Sequence, residues 1–522
     1  MRRPPLMPGA LVIVGLVWSG LALHSLSVGG VTWDEMFDFE GVNGAFWHGV
    51  NWLKGARPDL STITFDLEYF GNATRWPTYL LWRLQMLLPW ERITTLSRTQ
   101  IVLLSNYFSL NHLNAMVFAL GGIGLTAGLA SRLGGRRAGI FAGALLLTLP
   151  TWMGHGWMNS KDIPMATSYL LYTLGTTMLL RQERGGVALR VLGLGLMAGS
   201  RVSSLVFIAI SEGPLLALAG RRAPGKWLGS VAAGLLLGFL LTPQAWGDPL
   251  GYPVEAMRFI SQRQGTGDSL GVARYLATQL WDLLPSPLPL GLALLALTSW
   301  RRPRGLVVVP TLLQLLIPQV LLILGGKSLY NELRHLLMIQ PPLCVLAGLG
   351  YARGLAVLEG GPGPLVPRPL IRALMALGAV ATLVLVVESL LLSPYQYAYR
   401  SDLARLLQGH QAPTLRSDYW GYSGRETLTR CLKQAPCAEA LERRPLKVID
   451  QSLNPELIEA SANLLRPPPP PGPEGSLVIS ADPRTLARLE PLAATRRLTL
   501  LPLPRQVSLS AIGPNPTPAT GP

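Results

Sequence analysis

Ten apolar runs of membrane-spanning length recur along this chain, and they leave it few architectures. They lie near 8–29, 112–131, 138–154, 164–180, 202–220, 227–243, 286–300, 305–324, 336–352 and 373–392, with a shorter run at 187–199. One helical crossing of a bilayer takes about 20 apolar residues, and inside lipid each backbone polar group must be satisfied within its own segment. The expected fold is therefore a polytopic α-helical membrane protein, with about eleven transmembrane helices when the short run is counted. Composition agrees, since only 14% of the residues are charged and the mean hydropathy is +0.33, values that exclude an ordinary soluble globule. The Arg-bearing start followed by an apolar stretch has the form of a signal peptide, but the stretch is long enough to span and is read as the first helix.

The formal net charge of +16 would suit a nucleic-acid binder if it covered one face. Instead the cations sit in short clusters between apolar runs: Arg2 and Arg3; Arg132, Arg136 and Arg137; Arg181 and Arg184; Arg221, Arg222 and Lys226; Arg301, Arg302 and Arg304; Arg353, Arg368 and Arg372. With the eleven-helix count all of them fall on one side, which the positive-inside rule makes the cytoplasm. No nucleic-acid partner is expected. The N-terminus is then cytoplasmic, in a bacterial inner membrane. Asp34, the loop HGWMNSKD, Arg201, the loop GGKSLYNELRH and everything after Pro394 face the other, periplasmic or extracellular, side.

Residues 1–392 form the membrane region, with a long outer loop over 30–111. Within that loop Phe39, Val42, Phe46, Val50 and Leu53 recur at helical spacing, which reads as a helix lying in the interface. The stretch RWPTYLLWRLQMLLPW reads as a second interfacial segment. Residues 393–512 alternate strand and helix patterns (LKVID, PELIEASANLL, LVIS, RTLARLE, RRLTLLP), as a small outer-face α/β domain would. A polyproline spacer interrupts it at 466–473, and 513–522 is expected to be a disordered tail. Cys344 lies in an apolar run as a packing residue. Cys431 and Cys437, in CLKQAPC, are placed for a disulfide in an oxidising compartment, or for a metal site that lacks further Cys or nearby His ligands.

The chemistry is expected on the outer face, beginning with VTWDEMFDFEG. Its adjacent carboxylates, Asp34 and Glu35, can act as base and orienter or hold a cation. The loop GHGWMNSKDIP adds His155, Asn159, Lys161 and Asp162. There Asp162 is either an N-cap with Lys161 as its partner or part of a substrate site. Arg201 stands alone between apolar runs, a functional position by default or else a helix-locking ion pair. GGKSLYNELRHLL supplies Lys327, Tyr330, Asn331, Arg334 and His335 ahead of an apolar run, where a helix N-terminus and an Arg fork would both favour an anion. Converging, Lys161, Arg201, Lys327 and Arg334 would hold a lipid-borne phosphate, with His155, Asn159, Asp162, Tyr330 and His335 around the substrate.

Carboxylates beside cations suit a reaction in which an anionic group leaves and a weak nucleophile needs a base. Glycosyl transfer from a polyprenyl phosphate sugar fits, and in-line displacement inverts the anomeric carbon. Asp34 is the expected general base. Glu35 orients it or helps to hold a divalent cation, Mg2+ or Mn2+. A transporter or flippase of lipid-linked sugars is the alternative, although transporters tend to show repeated halves and midplane charges, and here the charges lie at the outer edge.

The motifs VTWDE, GHGWMNSKDIP, GSRVSSL, YNELRHLL, SPYQYAY and DYWGYS, taken in order, resemble those of GT-C membrane glycosyltransferases. They are most similar to the glycosyltransferase family 39 group, which includes protein O-mannosyltransferases and the aminoarabinose transferase of lipid A. The resemblance implies a polyprenyl- or dolichyl-phosphate sugar donor, a base or metal-binding role for Asp34, and donor-phosphate contacts from Lys161, Arg201 and Arg334. It leaves the acceptor, whether lipid, glycan or protein, open. The chain departs from the group at His112, where an Arg is common.

Overall fold

The computed structural model describes residues 7–29, 32–56, 69, 71–86, 96–219, 224–263, 269–281, 283, 286–299, 306–325, 332–361, 366–399, 422–443, 446–448, 477–480, 491–499 and 505–514. Helices dominate them. After α1 (Met7–Val28) the chain turns at Gly29 into α2 (Trp33–Leu53). The first turn of α2 is fixed by a capping box, in which the Thr32 N–H donates to Glu35 Oε2 at 2.6 Å. Phe39, Val42 and Phe46 of α2 pack against Tyr79 and Trp82 of α3 (Trp76–Met86). Trp47, Trp52 and Leu53 remain exposed.

The loop expected over 30–111 is shorter than the apolar pattern predicts, because α4 runs from Leu96 to Gly134 rather than starting near 112. Its 39 residues extend about 58 Å, well beyond a hydrocarbon core. The extra turns persist because Tyr107 and Phe108 pack into the aromatic cluster of α2 and α3. A second departure is the run at 138–154. It is two helices, α5 (Arg136–Thr148) and α6 (Pro150–Met158), broken at Leu149, because Pro150 cannot continue the ladder and sits in the first turn of α6. The chain continues through α7 (Asp162–Leu180), the 15-residue α8 (Gly186–Ser200), α9 (Ser204–Ala219) and α10 (Pro224–Leu240). α7 packs on α8, and α8 on α10.

Two helices were not expected: α11 (Gly251–Arg263) and α12 (Ser269–Trp281). Both are amphipathic rather than uniformly apolar, which hid them from a search for spanning runs. Tyr252 and Ala256 seat α11 on Val202 and Ala245, and Val272 and Leu276 seat α12 on Ile339. α13 (Leu288–Ser299), α14 (Val309–Leu324), α15 (Gln340–Leu358) and α16 (Arg368–Leu392) complete the helical region. Its largest buried cluster joins α4, α5 and α6 to α13, α15 and α16 through Leu146, Trp152, Leu294, Cys344 and Leu385. Among the described residues, three segments are long and apolar enough to cross a membrane by length and composition, Tyr107–Gly134, Leu337–Leu358 and Arg368–Leu392. Six shorter apolar helical segments accompany them.

Beyond α16, α17 (Gly424–Lys433) and α18 (Ala435–Arg443) pack on a four-stranded sheet of order β1-β2-β4-β3. β1 (Leu446–Val448) is parallel to β2 (Leu477–Ser480); β4 (Arg505–Pro514) is antiparallel to β2 and to β3 (Ala493–Thr499). β4 is a strand that the sequence reading missed. It also corrects the start of the tail, since Gly513 and Pro514 pair with Val478 and Leu477. Cys431 and Cys437 form a disulfide joining α17 to α18 within the cluster that covers the sheet. The polyproline stretch and PELIEASANLL lie outside the described residues.

This unit is tied back to the helical region. Tyr422 Oη lies 2.8 Å from Ser25 Oγ on α1, Arg425 donates to the Gly29 carbonyl at 3.3 Å, and Tyr395 Oη donates to Glu426 at 2.6 Å. Tyr395, Tyr397 and Tyr422 bury together against Met158 at the end of α6. The contact needs a glycine: a Cβ on Gly154 would overlap the Tyr397 backbone, which cannot rotate away. Gly154→Ala is expected to lower stability by about 1–3 kcal/mol, the usual cost of overpacking. Thermal unfolding in detergent measures it, and a midpoint equal to wild type would contradict this packing.

Candidate active site

The site lies where α2, the turn before α3, the α6–α7 loop, the C-terminal cap of α8 and the 3-10 stretch Glu332–Ile339 meet. The turn Asn72–Arg75 is pinned from three sides. Ala73 N–H donates to the Gly199 carbonyl at 3.0 Å, Asn114 donates to the Thr74 carbonyl at 2.8 Å, and Trp76 Nε1 donates to the Leu241 carbonyl at 2.8 Å. Arg75 is thereby held in the interior, and its Nη1 donates to Asn72 Oδ1 at 2.8 Å. Its Nη2 lies 3.1 Å from Asp38 on α2.

Asp38 is the anionic hub of the first half. Lys161 Nζ lies 2.7 Å from its Oδ1, and Ser160 Oγ donates to its Oδ2 at 2.9 Å. Asp162 is the hub of the second half. Arg201 Nη2 donates to its Oδ1 at 2.5 Å, Arg334 Nε lies 3.1 Å from its Oδ2, and Asn159 Nδ2 donates to the same oxygen at 3.0 Å. The loop joining the halves is shaped by Asn159, whose Oδ1 accepts the amide protons of Lys161 and Asp162 at 3.1 and 2.8 Å. Asn159 is thus the residue that caps α7, and Asp162 is freed to hold arginines. Fully buried His155 places Nδ1 3.1 Å from Asn159 Nδ2 and keeps that amide in position.

Among the described residues, four cations, Arg75, Lys161, Arg201 and Arg334, therefore surround two carboxylates, Asp38 and Asp162. Arg75 and Arg334 are buried, whereas the side chains of Lys161 and Arg201 stay 20% and 32% exposed. A ligand can reach that exposed pair while the buried pair stays fixed. Such an arrangement can take up an anionic group with little reorganisation.

Several expectations need correction. Glu35 does not stand open beside Asp34. It is buried, its Oε2 accepts the Thr32 amide, and its Oε1 lies 2.8 Å from His112 Nε2 and accepts from Asn111 at 3.3 Å. It fixes the first turn of α2 to α4, and both of its oxygens are engaged there. Lys161 pairs with Asp38 rather than with its neighbour Asp162. Arg334 does not open a helix: it belongs to the 3-10 stretch Glu332–Ile339, and α15 begins only at Gln340. Its anion affinity thus rests on its guanidinium alone. The charges are also not confined to the outer edge. Arg190 of α8 is completely buried and forms a bidentate pair with Glu212 of α9. Lys327, Tyr330, Asn331 and the side chains of Asp34 and His335 lie outside the described residues; Asp34 is placed only as the second residue of α2.

Asp38, Arg75 and Ser160 were missed. Asp38 carried a signal, because it follows Asp34 by four residues and Glu35 by three on one helix, which puts it on the same face. Ser160 sat inside a motif already singled out. Arg75 gave none, since an Arg beside Trp76 reads as an interfacial anchor. Among the described residues no group of three or more His, Cys, Asp or Glu side chains could hold a metal, and Asp38 and Asp162 already face cations.

No family model and no curated protein sequence matches the chain. It is similar to solved structures of ArnT. One is ArnT from Cupriavidus metallidurans bound to undecaprenyl phosphate, at 16% identity and a TM-score of 0.48, covering 99% of this chain and 100% of that one. The same protein in the apo state gives 16% identity and a TM-score of 0.47, covering 97% and 98%. ArnT is an aminoarabinose transferase, and so of the group that the sequence motifs resemble. A likeness this distant assigns no residue and no substrate to this chain.

Proposed function

We propose that this chain is a membrane glycosyltransferase that moves a sugar from a polyprenyl phosphate carrier to an acceptor, with inversion, on the face opposite the basic clusters, the periplasmic side. The observation that carries the proposal is the gathering of Arg75, Lys161, Arg201 and Arg334 about Asp38 and Asp162, with Lys161 and Arg201 left partly exposed. In the resting site Asp162 holds Arg201 and Arg334, and Asp38 holds Lys161 and Arg75. A lipid phosphate entering between them exchanges one anionic partner for another, so the cations need no search for their geometry.

The transfer itself balances simply. The acceptor nucleophile attacks the anomeric carbon as the bond from that carbon to the phosphate oxygen breaks. The electron pair stays on the phosphate, where Lys161, Arg201 and Arg334 stabilise the added charge. The acceptor's proton passes to a carboxylate, for which Asp34, in the first turn of α2, is our assignment. The aromatic group of Tyr395, Tyr397 and Tyr422 at the end of α6 closes one side against water.

Binding tests this reading apart from catalysis. In the variant Lys161→Gln/Arg201→Gln, retention of polyprenyl phosphate by the purified protein is expected to fall at least tenfold, read by native mass spectrometry against a neutral polyprenol. Retention equal to wild type would place the phosphate elsewhere.

A further inference from the structure

At the opposite end of the bundle lies a second site of a different kind. A cavity of 480 Å³ opens where the end of α7 and the start of α8 meet the end of α9 and the start of α10, with Leu179, Val187, Leu218 and Trp227 among its apolar walls. Arg184 and Lys226 stand at its rim, both exposed. Neither makes a hydrogen bond or ion pair with any described residue. The single acid on the lining, Glu183, is already matched by Arg132 at 2.9 Å and Arg181 at 2.5 Å. The cavity therefore carries two uncompensated cations. One wall is rigid, because the indole of Trp227 donates to Glu212 at 2.7 Å while its ring lies 4.0 Å from the Arg190 guanidinium.

We infer that this cavity binds the headgroup of an anionic glycerophospholipid, with Arg184 and Lys226 on the phosphate and the acyl chains laid along α8 and α9. Two features favour a lipid over a free anion. Four aliphatic side chains, Leu179, Leu180, Val187 and Leu218, and the Trp227 indole line it beside the cations, and the same two helices also carry exposed apolar residues, with Val187, Leu192 and Leu216 38%, 43% and 39% exposed. A hydrated ion gains nothing from such walls, whereas an acyl chain does. The flanking Arg132, Arg136, Arg137 and Arg181 put the cavity on the face assigned to the cytoplasm, where basic pockets between helices meet acidic lipid. The inference shares only that orientation with the proposed function.

The test is native mass spectrometry of the full chain in detergent, supplied with phosphatidylglycerol or phosphatidylcholine. Phosphatidylglycerol is expected to be retained at least tenfold more. The variant Arg184→Gln/Lys226→Gln should lose that preference, and Arg372→Gln, at a cation on the same face outside the cavity, should keep it. Both altered side chains are exposed, and thermal unfolding of the variant checks its folding. Equal retention of the two lipids, an unchanged preference in the double variant, or displacement of the lipid by millimolar inorganic phosphate would each overturn the inference. The readout needs no transferase activity, so its failure leaves the outer site untouched, and loss of transfer would leave this site untouched.

Discussion

Replacing Arg190 with Met is expected to destabilise the helical region by about 3–5 kcal/mol, because it leaves Glu212 without its partner in the interior. Arg190 is buried completely and binds both oxygens of Glu212, and its Nη1 also donates to the Trp227 carbonyl at 3.0 Å. Ser230 Oγ is a further partner of the same nitrogen. Tyr172 and Trp227 both donate to the Glu212 carboxylate at 2.7 Å, so four helices, α7 to α10, meet on one ion pair. Desolvating two charges is costly, and a well-packed apolar pair often does as well. The double variant Arg190→Met/Glu212→Leu is therefore expected to recover most of the loss. Thermal unfolding in detergent reads both. A single variant as stable as wild type would show that Glu212 finds water or another partner, and failure of the double variant to recover would show that the tyrosine and tryptophan bonds carry the stability instead.

The outer site should respond differently. Arg334→Ala is expected to lower kcat/KM for sugar transfer by about 10²–10³, the usual cost of removing one fixed donor to a developing anion. Folding should suffer less than at Arg190, because Arg201 still holds Asp162 at 2.5 Å. Arg334→Lys should restore only a small part, since an ammonium presents no planar fork to two phosphate oxygens. Steady-state kinetics with a lipid-linked sugar decides it. If Arg334→Ala transfers at the wild-type rate, the arginine serves only to position Asp162, and the phosphate contacts fall to Lys161 and Arg201.

The comparison of sequence with structure turns on what each kind of residue advertises. Charges beside apolar runs are costly in a membrane, so Lys161, Asp162, Arg201 and Arg334 were legible; Arg201 and Arg334 meet on Asp162, and Lys161 pairs with Asp38. Asp38 was legible only through its helical spacing from Asp34 and Glu35 and was passed over, and Arg75 was not legible, because it sits among aromatic residues in a segment that looks interfacial, where a charge costs little. Arg190 was hidden for the opposite reason: its partner lies on another helix, and one Arg near the start of an apolar run reads as belonging to the loop. Glu35 was legible and overlooked. Thr32 followed three residues later by Glu35 is the spacing of a capping box, and that local chemistry accounts for the carboxylate. The break at Pro150 could likewise have been read from one residue, whereas the length of α4 depended on the aromatic cluster that Tyr107 and Phe108 join.

The assignment of Asp34 as base is the centre of the account, and the cleavage of the donor tests it most directly. In vesicles holding the purified chain and a labelled polyprenyl phosphate sugar, the wild type should release polyprenyl phosphate and pass the sugar on with inversion. Asp34→Asn should insert and bind the donor normally yet cleave at least a thousandfold more slowly. Cleavage by Asp34→Asn near the wild-type rate would contradict the assignment, and carrier crossing the membrane with its sugar intact would contradict the transferase reading itself.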